Sequence, residues 1–245
     1  VEEGNAVLYN CKLVKLIHDE DGVHGGICDY EGNLIQINSA HTIIATGGYG
    51  ANAEMMMALQ PDTVHVTTAC SYHGLDDGSG IKAGIWAGGS KQADPTPMIF
   101  DRGAVVPGQD AGYELCEDGA YRYPGTNYQL NIGSQPFLKV NRDGKRFANE
   151  STPYDFDLNT AAEKPGGVFC QVFDNNARED IKRFNTIGCS RQIQQQLAAK
   201  PDISLEEFFA DKIEEGTILM ADTLDELADK LGFEGDAKET FLATC

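Results

Sequence analysis

The sequence predicts a mixed α+β (α/β) fold, and three observations carry that reading. Residues 6–46 alternate apolar stretches with Asp21-Gly22 and Glu31-Gly32-Asn33 turns, the pattern of short strands in a meander. The part after residue 190 instead repeats apolar residues at helical spacing behind hydroxyl-acid starts. Glycine is abundant at 27 of 245 residues, about 11% against an ordinary 7%, so many tight backbone passages are expected.

The elements follow in order. Strands are expected from Ala6 to Ile17, from Gly22 to Tyr30 and from Leu34 to Ile37. A wholly apolar run, His41-Thr42-Ile43-Ile44-Ala45-Thr46, then reads as a buried strand, so that a small antiparallel sheet returns to a larger parallel one. Ala51 to Leu59 reads as a short helix, and Gly80 to Ala87 as another behind the N-cap candidates Asp76, Asp77 and Ser79. Residues 60–135 are otherwise loop-rich. Beyond them come a strand at 137–140, a turn at Asn141-Arg142-Asp143-Gly144, a strand at 167–173 and helices near 190–199, 204–214, 222–231 and 235–245. Ser204 with Glu207, and Thr223 with Glu226, have capping-box spacing.

Composition narrows the partners. A net charge of −19 repels phosphate backbones and anionic headgroups, so neither nucleic acid nor a membrane surface is expected to bind. No apolar run approaches the roughly 20 residues of a membrane-spanning helix, so this segment is not expected to insert. Seven scattered cysteines include no Cys-x-x-Cys and no zinc spacing, so reduced thiols and no metal are expected. The chain starts Val1-Glu2-Glu3-Gly4 and stops inside a helical pattern at Cys245. Both ends read as cuts through a longer polypeptide, which leaves its localisation undetermined.

Three segments could carry chemistry. In Thr46-Gly47-Gly48-Tyr49-Gly50, an apolar run ends in glycines that leave backbone N–H groups open to a ligand. α/β proteins place cofactors at such strand ends, although an ordinary glycine turn explains the spacing equally well. The stretch Thr67 to Gly80 leads into a helix whose N-terminal amides could hold an anion, or whose Asp76 and Asp77 could simply cap it. His73 lies in this polar loop, either as a hydrogen-bonding side chain or as a proton carrier. The third segment, Phe137 to Asp155, reads as a β-hairpin around Asp143-Gly144 followed by an irregular stretch with Asn149, Glu150 and Tyr154. Pro153 fixes the backbone before Tyr154, which physics alone fits as well to packing as to catalysis.

Three motifs in register carry a resemblance. Ile43-Ile44-Ala45-Thr46-Gly47-Gly48-Tyr49-Gly50, then Asp77-Gly78-Ser79-Gly80-Ile81-Lys82-Ala83-Gly84 with Gly88-Gly89, then Val140-Asn141-Arg142-Asp143-Gly144-Lys145-Arg146-Phe147-Ala148-Asn149-Glu150 occur in this order. Together the chain resembles the flavoprotein subunit of fumarate reductases and succinate dehydrogenases, a group that includes the 3-ketosteroid dehydrogenases. The likeness covers nearly the whole chain. It implies a partial FAD-binding domain with a β-meander over residues 1–130 and a capping, substrate-closing domain over 131–245. It also implies FAD as cofactor, with Ala45, Thr46, Gly47 and Gly48 at the strand-end turn, Gly78 and Gly80 beside the flavin, and Asn149 and Glu150 on the crossing segment.

Two departures matter. The Gly-x-Gly-x-x-Gly turn that grips the FAD pyrophosphate in the family is absent from the chain, so the isolated piece is expected to hold FAD poorly or not at all. And where fumarate reductases place an arginine four residues past the acid of the Asn-Glu pair, this chain has Tyr154, as in 3-ketosteroid dehydrogenases. A guanidinium stays charged and clamps carboxylates, whereas a phenol with pKa near 10 is neutral at pH 7 and can give up a proton. The resemblance therefore implies an FAD-dependent oxidoreductase moving hydride to or from a carbon–carbon double bond conjugated to a carbonyl. Tyr154 would transfer the proton, with His73 and Arg146 as candidate helpers. The substrate class is a small enone rather than a dicarboxylate, and the sequence does not identify the electron donor. The competing reading is a flavoprotein-derived module that binds or interacts without chemistry.

Overall fold

The computed structural model describes residues 5–69, 76–93, 100–126, 128–184 and 191–245. They divide into two compact units, one built from residues 1–55 and 74–95, the other from 56–73 and 96–245.

The first unit is organised by an antiparallel meander, β1 (Cys11–Asp19), β2 (Gly22–Tyr30) and β3 (Asn33–Asn38), with β2 in the centre. Its register is set by two tight turns, which place Asp19 opposite Gly22 and Tyr30 opposite Asn33. Acid side chains close both: Asp19 Oδ1 accepts the Asp21 N–H at 2.9 Å, and Asp29 Oδ1 accepts the Gly32 N–H at 2.9 Å. Such Asx bonds satisfy backbone donors that the ladder leaves free. Along the chain, helix α1 (Ala53–Leu59) and helix α2 (Pro61–Val64) come next, counted with the other unit from residue 56 on, and the first unit resumes with α3 (Ser79–Trp86), which packs on β1. Leu16, Cys28 and Ala83 are buried here.

The expected strand at 41–46 does not form a ladder. Among the described residues nothing pairs with it, and Ile43 is 90% exposed. An apolar run becomes a strand only when a neighbour takes up its N–H and C=O groups, and apolarity alone supplies none.

Among its described residues the second unit has two apolar centres. Around Ile132, Phe137, Ala177, Ile181, Ile193, Leu197 and Phe209, an amphipathic helix α6 (Arg191–Ala198) contributes Ile193 and Leu197 from one face. The other centre joins Val140, Ala228, Phe233 and Phe241, whose last two rings stack with centroids 4.9 Å apart. Each fully buried side chain of this size contributes about 1.5–3 kcal/mol through lost apolar contact with water. Between the centres run β6 (Leu138–Val140) and β7 (Cys170–Val172), paired antiparallel with Lys139 opposite Gln171.

The hairpin expected around Asp143-Gly144 forms only in part. The turn closes, Gly144 N–H donating to the Asn141 carbonyl at 3.0 Å, but a single bridge joins Val140 to Arg146 and β6 pairs with β7 instead. A small hairpin that the sequence pattern hides, β4 (Glu114–Leu115) with β5 (Tyr121–Arg122), is backed by Tyr113 stacking on Tyr123 at 3.9 Å. Helix α4 (Tyr154–Ala162) follows the turn region, α5 (Ala177–Asp180) follows β7, and α7 (Leu205–Phe208), α8 (Ala210–Glu214), α9 (Leu224–Lys230) and α10 (Gly235–Thr244) complete the chain. No helix among the described residues is long and apolar enough to cross a membrane.

Candidate functional site

The expected site residues fall into two groups. Ala45, Thr46, Gly47, Gly48, Gly78 and Gly80 lie in the first unit, and Asn149, Glu150 and Tyr154 in the second. His73 lies outside the described residues.

In the first group the chain passes twice through one small volume. The Gly78 N–H donates to the Gly48 carbonyl at 3.1 Å, and the Ala51 N–H to the Asp76 carbonyl at 3.1 Å. Asn52 ties the same loop, its Nδ2 donating to the Asp77 carbonyl at 2.9 Å and its Oδ1 accepting the Met55 N–H at 3.0 Å. Gly78 adopts φ +71°, and a Cβ there would stand 2.4 Å from Met55 Sδ and 2.9 Å from Tyr49 Cβ. A Cβ on Gly80 would meet Thr46 Oγ1 at 1.9 Å. These two glycines are buried and let the loop approach the turn from beneath.

Gly47 differs. It is exposed with φ +75°, and the nearest atom to a Cβ there would be Asp76 Oδ1 at 3.2 Å. Ala45 and Thr46 are exposed beside it. The turn thus offers bare backbone on one side. Asp77 accepts hydrogen bonds from Ser79, including its N–H at 2.8 Å, and these with the Lys12 charge hold its carboxyl below the usual range. Two carboxyl groups at the start of α3 oppose a pyrophosphate there.

In the second unit, Arg146 and Glu150 form the clearest electrostatic pair. Arg146 Nε and Nη2 reach Glu150 at 3.0 and 2.5 Å, and the Lys139 backbone N–H donates to Glu150 Oε1 at 3.2 Å. Burial pushes the Glu150 carboxyl up, yet Arg146 and the backbone N–H groups outweigh it and hold it below the ordinary value of 4.5. Asn149 folds onto its own neighbours, its Oδ1 accepting the Ser151 N–H at 3.1 Å and its carbonyl accepting the Thr152 hydroxyl at 2.8 Å. Arg146, Phe147, Ala148 and Asn149 line a wide, shallow depression of about 620 Å³. Tyr154 is the first residue of α4, after Pro153; its side chain lies outside the described set.

A buried polar group was missed from sequence. Lys139, Asp101 and Asp157 have side chains only 1–2% exposed, with Lys139 Nζ 3.6 Å from Asp101 and 3.9 Å from Asp157. The available signal was a lone lysine inside the apolar run Phe137-Leu138-Lys139-Val140.

Comparison with known proteins gives the family. Residues 2–167 match the family described as FAD binding domain. Vinyl phenol reductase from Lactiplantibacillus plantarum is 30% identical over 122 residues, 49% of this chain and 22% of that protein. NADH:acrylate oxidoreductase from Vibrio harveyi is 26% identical over 239 residues, 94% of this chain and 20% of that protein. The open conformation of a flavocytochrome c3 fumarate reductase shares the fold with a TM-score of 0.56 at 20% identity, covering 96% of this chain and 34% of that one. The chain therefore spans about a fifth of the length of these two relatives. The family match runs over more than half of the sequence and includes both halves of the glycine-lined turn, at 45–48 and 78–80. On that match, the chain belongs to the FAD-binding domain family.

Proposed function

We propose that the protein carrying this chain is an FAD-dependent oxidoreductase that transfers hydride between flavin and a carbon–carbon double bond conjugated to a carbonyl. The observation that carries the reading is the exposed, glycine-bared turn at Ala45–Gly48, held from beneath by Gly78 and Gly80, within residues matched to an FAD binding domain. The similarity to enzymes named for vinyl phenol and acrylate favours small unsaturated substrates.

Backbone at Ala45, Thr46, Gly47 and Gly48 would lie against the uncharged part of the cofactor, since Asp76 and Asp77 disfavour its phosphates. Bound FAD supplies hydride acceptance and donation at N5. The chain's own task is the proton. Tyr154 Oη donates to the carbon that becomes negative on reduction, or accepts a proton from it in the reverse direction. Asn149 and Glu150, on the crossing segment, would lie on the flavin side, and His73 and Arg146 are the candidate helpers of Tyr154. Residues 131–245 serve as the cap that closes over the substrate, with residues 1–130 as the flavin-binding part.

The reading is tested on the full-length protein. It is expected to purify yellow, with flavin that an enone reoxidises. Tyr154→Phe is expected to lower turnover about 100-fold with flavin content unchanged, the usual scale for an acid–base group. Full-length protein that stays colourless with added FAD, or a Tyr154→Phe variant at wild-type turnover, overturns it.

A further inference from the structure

Lys139 is the unusual residue of the second unit. A lysine ammonium withdrawn from water costs several kcal/mol unless ionic and hydrogen-bonding partners replace the lost hydration. Its Nζ donates to the Gln135 carbonyl at 3.1 Å and lies within ion-pair distance of Asp101 Oδ2 at 3.6 Å and Asp157 Oδ2 at 3.9 Å. The aspartates are themselves held. Ser134 Oγ donates to Asp101 Oδ1 at 2.8 Å, and Thr152 Oγ1 to Asp157 Oδ1 at 3.0 Å. Burial pushes both carboxyls above their ordinary value, and Lys139 works against that rise.

The two ends of this lysine hold two ends of one segment. Its backbone N–H binds Glu150 Oε1, and its ammonium faces Asp157 on α4. Residues 150 and 157 bracket the turn and first helical residues, and Tyr154 lies between them, one helical turn before Asp157. Asp101, by contrast, approaches Lys139 from outside this segment.

We propose that Lys139 is a positioning residue, which clamps Glu150 through its backbone and Asp157 through its ammonium and so sets where Tyr154 stands. The inference rests on the reading of Tyr154 as the proton-transfer group. A clamp of this kind affects the chemical step more than substrate binding, because small misplacements of a reacting group cost rate steeply. An ion cluster that served the core alone would respond alike to the loss of either aspartate.

The test uses the flavin-loaded, full-length enzyme with turnover counted per bound flavin. Asp157→Asn is expected to lower kcat about tenfold with KM within about twofold, and to speed amide hydrogen exchange in residues 150–157. Asp101→Asn is expected to lower Tm while leaving kcat and exchange in that segment near wild type. Lys139→Met is expected to match Asp157→Asn, and the double variant to be no worse than either single one, as coupled partners are. Should Lys139→Met fail to fold, the two aspartate variants decide alone. Wild-type kcat and exchange in Asp157→Asn, or an equal loss in Asp101→Asn, overturns the clamp while a slow Tyr154→Phe keeps the reading of the site. Wild-type turnover in Tyr154→Phe overturns that reading and the clamp with it.

Discussion

Gly80 shows how a single hydrogen in place of a methyl group shapes the site. Thr46 occupies the space a Cβ would need, with Oγ1 at 1.9 Å and Cβ at 2.9 Å from that position. Gly80→Ala therefore has to push the turn and the start of α3 apart, and overpacking of this kind costs about 1–3 kcal/mol. The expected outcome is a lower Tm and a reduced flavin content in the full-length protein, measured by absorbance after desalting. Thr46→Ala combined with Gly80→Ala removes the nearer clash and is expected to restore part of both. A Gly80→Ala variant with wild-type Tm and flavin content contradicts the close approach. At this scale the close approaches at Gly78 and Gly80 have a source visible in the letters, because only glycine allows such contacts. Lys139, Asp101 and Asp157 were not legible as a group. The aspartates lie 38 and 18 residues from Lys139 in sequence, and only tertiary contacts bring the charges together, among them the Leu130 N–H to the Arg102 carbonyl, Ser134 to Asp101 and the placement of α4.

Elements follow local rules where their ends are polar and hydroxyl-capped. Thr223 Oγ1 accepts the Glu226 N–H at 3.1 Å, and Glu226 returns a bond to the Asp222 N–H at 3.2 Å, one residue earlier than the reciprocal capping box predicts. Helix α9 carries buried Ala228 into the Phe233–Phe241 centre, so this cap is coupled to packing. Thr223→Ala is expected to cost about 1 kcal/mol, read as a lower denaturant midpoint at unchanged slope, with Thr223→Ser close to wild type. No loss in the alanine variant would mean that the cap contributes nothing. The meander was legible for the same reason, since its turns announce themselves and fix the register. The expected helix at 204–214 instead breaks into α7 and α8 at Phe209, which leaves helical geometry (φ −105°, ψ 16°) and is buried in the Ile132–Phe137 centre. Tertiary burial of one aromatic ring overrode a continuous helical pattern there. The run at 41–46 failed for the complementary reason, because a ladder partner is a property of the neighbourhood and not of the residues themselves.

Across the whole chain, the 38 acidic residues against 19 basic ones make pH response the collective property to examine. Two opposing contributions arise in the second unit. Glu150 is held below its ordinary value of 4.5, so the stability it adds is present above that value and is lost as pH falls through its lower folded value. Asp101 and Asp157 are raised above 3.8 by burial, with Lys139, Ser134 and Thr152 opposing the rise and Glu150 adding to it at Asp157. The folded chain keeps their protons at pH values where the unfolded chain has released them. Their contribution is therefore most favourable below pH 3.8 and declines as pH rises through the raised folded values. Asp101→Asn deletes one of these declining contributions and leaves that of Glu150. Plotted from pH 4 to 7 at fixed ionic strength, which keeps the screening of the net charge of −19 constant, Tm of this variant relative to wild type is expected to climb with pH. A Tm difference that falls with increasing pH would require Asp101 to ionise more readily in the folded chain than in the unfolded one, with the Lys139 and Arg102 charges outweighing the cost of burial. Calorimetry on the two proteins at four or five pH values separates these cases by the sign of one slope.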